Sequence, residues 1–403
     1  MSLHVDSDSS RAPRSAYVHI PFCRRRCFYC DFPITVLGNR GNPQGTLVER
    51  YLLALQQEIA RQSSSKASLQ TVFFGGGTPS LLSPQQIQRI LTTLDKRFSL
   101  AEDVEISLEI DPGTFTENDL RGYQGAGVNR FSLGVQAFQP QLLAACGRAH
   151  TFEDIQTAVG IFETVGIQNF SLDLISGLPG QTVEHWQESL AHAIAINPTH
   201  LSCYDLVLEP VTAFGKQYQP GERPLPDEET TAQMYRLASK TLRAAGYEHY
   251  EISNYAKAGY ESRHNRVYWQ NQPYFAFGMG AASYVNGQRF TRPRTRQEYY
   301  AWLDAGCPME FESGSQTDQF LETLMLGLRL RDGVDLVKLK ANFGNHWLER
   351  LAESLARYEK SGWLIHTSDA EGIERLCLSD PDGFLFSNVV LSHLFEQFDE
   401  TLS

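Results

Sequence analysis

The sequence predicts an α/β fold: a partial (β/α)6 barrel followed by a C-terminal winged-helix-like domain. Three observations lead there. From residue 15 to about 206, short β-branched or apolar runs alternate with amphipathic segments, the pattern of βα units around a parallel sheet. A Pro, Gly and Glu cluster from Gln219 to Glu229 ends that alternation. After Pro308 the composition shifts to helical periodicity interrupted by a hairpin-like stretch.

Six strands are expected, near Ala16 to Ile20, Thr71 to Phe74, Val104 to Ile110, Arg130 to Val135, Gln168 to Ile175 and His200 to Leu206. Six units fall short of the eight that close a full barrel. Between them lie helical patterns such as Leu47 to Ala60, whose apolar residues at 47, 48, 52, 55 and 59 mark one face. Another helix is expected over Thr230 to Ala245. Tyr247 to Arg296 is rich in Tyr, Asn, Gly and Arg with little periodicity, and reads as a site-forming segment. Helices follow at about Asp318 to Leu330 and Gly344 to Lys360, then a hairpin-like stretch Trp363 to Leu378 and a last helix near Phe386 to Phe398. The expected division is a flexible N-terminus 1–14, a barrel 15–305 and a C-terminal domain 306–403.

With 403 residues, 42% of them apolar, the chain can bury a large core. Its 35 basic and 47 acidic residues give a net charge of −12, which repels phosphate backbones. The winged-helix-like region adds to this: from Leu321 to Ser403 there are 8 Lys and Arg against 14 Asp and Glu, the wrong sign for a groove reader. It reads as a lid or partner surface, and no nucleic-acid partner is expected. The N-terminal residues lack the apolar stretch of a secretory signal, and no later run approaches the length of a membrane span. A cytoplasmic location is the expectation. Seven cysteines in a reducing compartment argue against a disulfide framework. Cys146, Cys203, Cys307 and Cys377 are scattered singly and read as small buried residues.

The other three cysteines occupy eight residues, in the spacing Cys23-x3-Cys27-x2-Cys30, directly after the first expected strand. Active sites on barrels lie at that end of the strands. Three thiolates can hold a [4Fe-4S] cluster and leave one iron without a protein ligand. That iron can chelate the amino and carboxylate groups of S-adenosylmethionine (SAM). A structural zinc site would want a fourth ligand, and His19 is the only near candidate.

This spacing in the loop after strand one resembles the radical SAM superfamily, and the string YVHIPFCRRRCFYCDF, Tyr17 to Phe32, is similar to the subgroup containing oxygen-independent coproporphyrinogen III oxidase. The likeness runs from about residue 15 to 380. It implies a SAM pocket. Gly75, Gly76 and Gly77 follow the second strand, with Thr78 beside them; Glu109 ends the third and Gln136 the fourth; Arg148 and Asp173 complete the set. An acid suits ribose hydroxyls and a guanidinium suits a carboxylate. By resemblance, Tyr17, Tyr29, Gly76, Gly77, Thr78, Glu109, Gln136, Arg148 and Asp173 match SAM-contacting positions of the oxidase.

Two departures separate the chain from the oxidase. The oxidase motif continues Cys-x2-Cys-Gly-Cys where this sequence has Cys30-Asp31-Phe32, and only 22 residues precede Cys23 where the oxidase carries a longer arm. Both departures match the heme chaperone family. So does RHNRVYW, in which His264, Asn265, Tyr268 and Trp269 fit that family's HNxxYW segment. A His among aromatic residues can ligate heme iron while the rings lie along the macrocycle; it can also be packed there as part of a core. Arg289, Arg292, Arg294 and Arg296 read as heme-propionate partners or as a solvated basic loop. Arg24, Arg25 and Arg26 read as an attraction for an acidic electron donor or as solvated charge.

The resemblance thus implies a cytoplasmic heme chaperone in porphyrin metabolism that binds the cluster, SAM and heme, without coproporphyrinogen III oxidase activity. The partners it implies are acceptor hemoproteins and an electron donor such as flavodoxin or ferredoxin. Peripheral membrane association and a homodimer are both compatible with it. Oxidative decarboxylation of coproporphyrinogen III and radical SAM modification of RNA stand as the alternatives.

Overall fold

In the first unit of the structure, a computed structural model, every strand of the main sheet is parallel to its neighbours. The structure describes residues 12–38, 45–63, 67–309, 314–368 and 372–398. Most of the expected flexible N-terminus, 1–11, and the links 64–66 and 369–371 lie outside the described residues.

The chain divides into two units, the first made of 1–174, 207–219 and 272–312, the second of 175–206, 220–271 and 313–403. In the first, strands β1 (Ser15–Ile20), β2 (Leu69–Gly76), β3 (Leu100–Ile110), β4 (Arg130–Gln136) and β5 (Phe170–Ser176, the boundary falling after Leu174) lie side by side in chain order. A short strand Phe275–Phe277 extends this sheet beyond β1. Ala16, Val18 and Ile20 of β1 and Phe131, Leu133 and Val135 of β4 are buried almost completely. These residues share one face of each strand, and the alternate positions, Tyr17 and His19 in β1 and Ser132 and Gln136 in β4, are polar and lie on the other. Helices Thr46–Arg61, Pro84–Phe98, Glu117–Gly125 and Phe152–Val165 return the chain between strands. Ser83, Thr116 and Thr151 each open their helix with a capping box, which fixes where the loop stops and the helix begins.

A buried polar network joins helix Thr46–Arg61 to the segment after residue 272. Glu58 accepts from Arg292 Nε at 2.7 Å, Tyr299 OH at 2.6 Å and the Gly278 amide at 2.8 Å. Two turns away, Tyr51 donates to the carbonyl of His19 in β1 at 2.8 Å and accepts from the Met279 amide at 3.2 Å. Arg292 is therefore neither a solvated charge nor a group facing an anionic ligand: it is 3% exposed and paired inside the core.

The second unit holds β6 (His200–Asp205), antiparallel to Asn254–Ala256, which pairs in turn with Glu248–Glu251. Helix Val183–Ile196 packs on helix Glu228–Ala244, and Trp186 Nε1 donates to the Met234 carbonyl at 2.9 Å. Helices Gln316–Gly327, Leu336–Phe343, Asn345–Lys360 and Ser387–Phe398 and an antiparallel three-stranded sheet (Val334–Asp335, Glu374–Leu378, Leu364–Ser368) share one core around Phe320, Leu324, Leu355, Leu376, Val390 and Leu394. Helices and hairpin stand where the sequence predicted them. The stretch Tyr247 to Arg296 proves to contain five short strands and a seven-residue helix. None is long enough to show a period, which is why the sequence reads as irregular there.

Candidate functional site

The three cysteines lie on one loop of the first unit. Phe22–Cys23 forms a two-residue parallel pair with Thr35–Val36, and the Leu37 amide donates to the Cys23 carbonyl at 2.8 Å, so residues 24–34 are pinched at their base. Within the loop the Cys30 amide reaches the Cys27 carbonyl at 3.3 Å. Arg25 and Arg26 are exposed, and the loop arginines also reach backbone carbonyls. Arg24 Nη1 donates to the Gly113 carbonyl at 2.8 Å, and Arg26 Nη1 to the carbonyls of Cys30 and Phe32, both at 3.1 Å.

Below the loop, His19 donates through Nε2 to the Pro33 carbonyl at 2.9 Å and accepts Tyr17 OH on Nδ1 at 3.1 Å. Both ring nitrogens are thereby used, and burial holds the imidazole neutral by pushing its pKa down to about 4. His19 is a strut between β1 and the loop. The Gly triplet is equally structural. A Cβ on Gly77 would stand 2.7 Å from the carbonyl oxygens of Ile20 and Phe22, and one on Gly76 would enter the His19 ring. The amides of Gly77 and Thr78 instead bond those two carbonyls, at 2.9 and 2.7 Å. At Gly76, with φ +106°, the amide donates to Glu109 Oε2 at 3.1 Å.

The strand ends bring polar groups to the loop. Thr78 Oγ1 lies 3.8 Å from Cys23 Sγ and 3.0 Å from Asp111 Oδ2. Arg148, 8% exposed, holds Asp111 Oδ1 through Nη2, bonds the Gly134 carbonyl at 2.9 Å and aims Nη1 at Cys27 Sγ, 3.5 Å away. Its Nε is buried with no partner among the described residues. Burial alone would lower the Arg148 pKa, but Asp111, Tyr29 and Cys27 raise it well above its ordinary value. His150 accepts from Arg148 at 3.4 Å and donates to the Val135 carbonyl at 3.1 Å, and burial, then the Arg148 charge, lower its pKa to about 4. Asp173 takes the hydroxyls of Ser132 at 2.8 Å and Ser171 at 3.1 Å. Gln136 closes β4 at φ +67°, a strained backbone of the kind that collects at functional sites. Burial first, then the charges of Asp173 and Asp111, push Glu109 up to about 8. Tyr29 rises well above its usual range through burial.

Burial also pushes the Cys23 thiol up to about 12 and raises Cys30. Such thiols give up their protons only to a strong positive charge, which a bound metal supplies. Among the described residues no three His, Cys, Asp or Glu side chains converge tightly enough to hold a single metal ion. A mononuclear zinc centre thus lacks its ligand set. Three free thiols on one loop are the donor type an iron–sulfur core takes, and Arg148 Nε, without a partner among the described residues, suits an anionic group.

All the residues expected around SAM belong to the first unit; His264, Asn265, Tyr268 and Trp269 lie in the second. They sit on the helix Arg263–Trp269, capped by Ser262, whose hydroxyl accepts the Asn265 amide at 3.3 Å. His264 is fully buried, with Nε2 2.7 Å from Tyr268 OH, and Arg329 lies over the Trp269 ring at 5.7 Å. Asp111 and His150 escaped the sequence reading. The signal for Asp111 was present: it stands two residues after Glu109 at the same strand end.

Fold and loop define a radical SAM protein, and the radical SAM superfamily matches residues 17–193. The HemN C-terminal domain matches residues 315–373. A heme chaperone HemW of Synechocystis is 47% identical, over 96% of this chain and 98% of its own. That of Bacillus subtilis is 36% identical over 89% and 94%, and that of Escherichia coli 39% over 70% and 74%. The chain belongs to the heme chaperone HemW family. Coproporphyrinogen III oxidase of Escherichia coli shares the fold, with a TM-score of 0.79 over 98% of this chain and 92% of the oxidase at 22% identity.

Proposed function

We propose that this chain is a heme chaperone that binds a [4Fe-4S] cluster, SAM and heme and hands heme to acceptor hemoproteins. The observation that carries the reading is the near full-length similarity to proteins of that name, in a chain whose cysteine loop ends Cys30-Asp31-Phe32. Cys23, Cys27 and Cys30 would hold the cluster, which would supply an iron able to take the amino acid moiety of SAM. Tyr17, Tyr29, Gly76, Gly77, Thr78, Glu109, Gln136, Arg148 and Asp173 line the pocket. In it Arg148 offers its guanidinium to a carboxylate and Asp173 accepts hydroxyl protons, while the backbone-bonded triplet holds Thr78 in place.

For heme, His264 offers an imidazole whose Nε2 is engaged by Tyr268. Ligation by that nitrogen requires the hydroxyl to turn away, so heme entry is coupled to breaking one buried hydrogen bond. The electron donor is taken to be flavodoxin-like or ferredoxin-like. Among the described residues no helix is long and apolar enough to cross a membrane, so any membrane association would be made by another route.

The test is anaerobic reconstitution followed by heme titration with and without SAM, then transfer to an apo-hemoprotein. Stoichiometric heme binding and transfer without turnover are expected. Conversion of coproporphyrinogen III with release of methionine would reject the reading in favour of the oxidase.

A further inference from the structure

We propose that Asp111 is a positioning residue that keeps the reduction potential of the cysteine-loop cluster low, by drawing the Thr78 proton away from Cys23 and by neutralising and fixing Arg148 beside Cys27. The proposal rests on the assignment of the cluster to that loop.

The carboxylate is placed with little freedom. Asp111 directly follows β3; its amide donates to Ser80 Oγ at 3.3 Å, and its carbonyl accepts from the Thr114 amide at 3.2 Å and the Thr114 hydroxyl at 2.6 Å. Gly134 leaves the room for it, since a Cβ there would stand 2.7 Å from Asp111 Oδ1 and 3.3 Å from Arg148 Nη2. With the backbone held, Oδ1 takes Arg148 and Oδ2 takes Thr78.

Thr78 has one hydroxyl proton and two acceptors, Asp111 Oδ2 at 3.0 Å and Cys23 Sγ at 3.8 Å. The nearer and charged oxygen is the stronger acceptor, so the bond that this hydroxyl gives the cysteine sulfur is the weaker of the two. On the other side Arg148 Nη1 does reach Cys27 Sγ, but its positive charge is balanced by Asp111 on the same guanidinium. Hydrogen bonds to cluster sulfurs and nearby positive charge raise an iron–sulfur potential, because both stabilise the added electron. Asp111 weakens the first at Cys23 and offsets the second at Cys27. A low potential is what reductive cleavage of a sulfonium demands, so the device suits a site that retains that chemistry.

D111N separates these roles from mere packing, since it keeps the shape. Its amide donates to Thr78 Oγ1, which frees the hydroxyl proton for Cys23, and it leaves the Arg148 charge unbalanced. The experiment is a redox titration of the anaerobically reconstituted full chain without SAM, followed by electron paramagnetic resonance. D111N is expected to shift the midpoint to more positive potential at unchanged iron content. T78V alone should move it far less than D111N, because the wild-type proton is held mainly by Asp111. Combined with D111N, T78V should reduce the shift.

A D111N midpoint and spectrum equal to wild type would overturn the proposal. Should D111N retain no cluster, R148K decides: a lysine cannot serve Asp111 and Cys27 together, so the midpoint should move negative, and an unmoved one is the refuting result. Wild-type protein that takes up no cluster would overturn the cluster assignment itself, an outcome distinct from a loaded wild type with an unresponsive D111N.

Discussion

Replacing Arg292 by leucine tests whether the buried network behind β1 stabilises the first unit. Arg292 and Glu58 are 3% and 4% exposed, and Arg292 also reaches Ser283 Oγ at 2.6 Å. R292L leaves Glu58 with two donors, Tyr299 OH and the Gly278 amide, and no counter-charge. Removing one partner of a buried ion pair costs about 3–5 kcal/mol, because the other charge stays desolvated. At about 2–4 °C per kcal/mol for a domain of 150–250 residues, the melting temperature of the first unit should fall by about 10 °C. The double variant E58Q/R292L should regain most of this, since a glutamine oxygen still accepts from Tyr299 and Gly278 without a buried charge. Thermal melts by circular dichroism with parallel iron assays would read both. The loss reaches the site by a short route, through Tyr51 and the His19 carbonyl to the strut that bears on Pro33. A loss under about 1 kcal/mol in R292L, or a double variant no better than the single, would refute the argument.

In the second unit Glu251 is fully buried, and burial pushes its pKa from 4.5 up to about 8. Its folded pKa is above its unfolded one, so its contribution is complete below 4.5 and is lost as pH rises through about 8. Denaturant melts should show wild type falling behind E251Q by a few kcal/mol between pH 5 and pH 9, and parallel curves would contradict this. G77A forces a methyl onto the backbone carbonyls of Ile20 and Phe22, and should cost about 1–3 kcal/mol in melting experiments and lower the iron retained after reconstitution. C27S should abolish the brown chromophore; full iron and sulfide in that variant would remove the cluster from this loop. H264A should weaken heme binding while leaving the iron–sulfur absorbance intact, and Y268F, which releases the imidazole, should not weaken it; equal heme affinity in H264A and wild type would exclude His264 as a ligand.

What the sequence revealed and what it hid follow from how far each interaction reaches along the chain. The strands and long helices were legible because each carries its own period or its own cap: Thr151 and Asp154, three residues apart, mark a helix start that is a purely local matter. The cysteine loop was legible because its three cysteines are neighbours in sequence. Glu109 was legible by its place at a strand end, yet Asp111, two residues on, was passed over. Its importance comes from Thr78, 33 positions before it, and Arg148, 37 after it, and no local pattern registers either. Arg292 was misread for the same reason. Four arginines within eight residues look like a solvated basic loop, and only a partner 234 residues away turns one of them into a core residue. His19 shows the converse. Its nearness to the thiols made it a candidate ligand, but contacts with Pro33 and Tyr17 commit both nitrogens and make it a strut. The residues proposed to hold a ligand are thus written locally, while those proposed to tune them and those that brace them are written across the fold, and the variants most able to expose errors in the site are those of Asp111, Glu58 and Arg292.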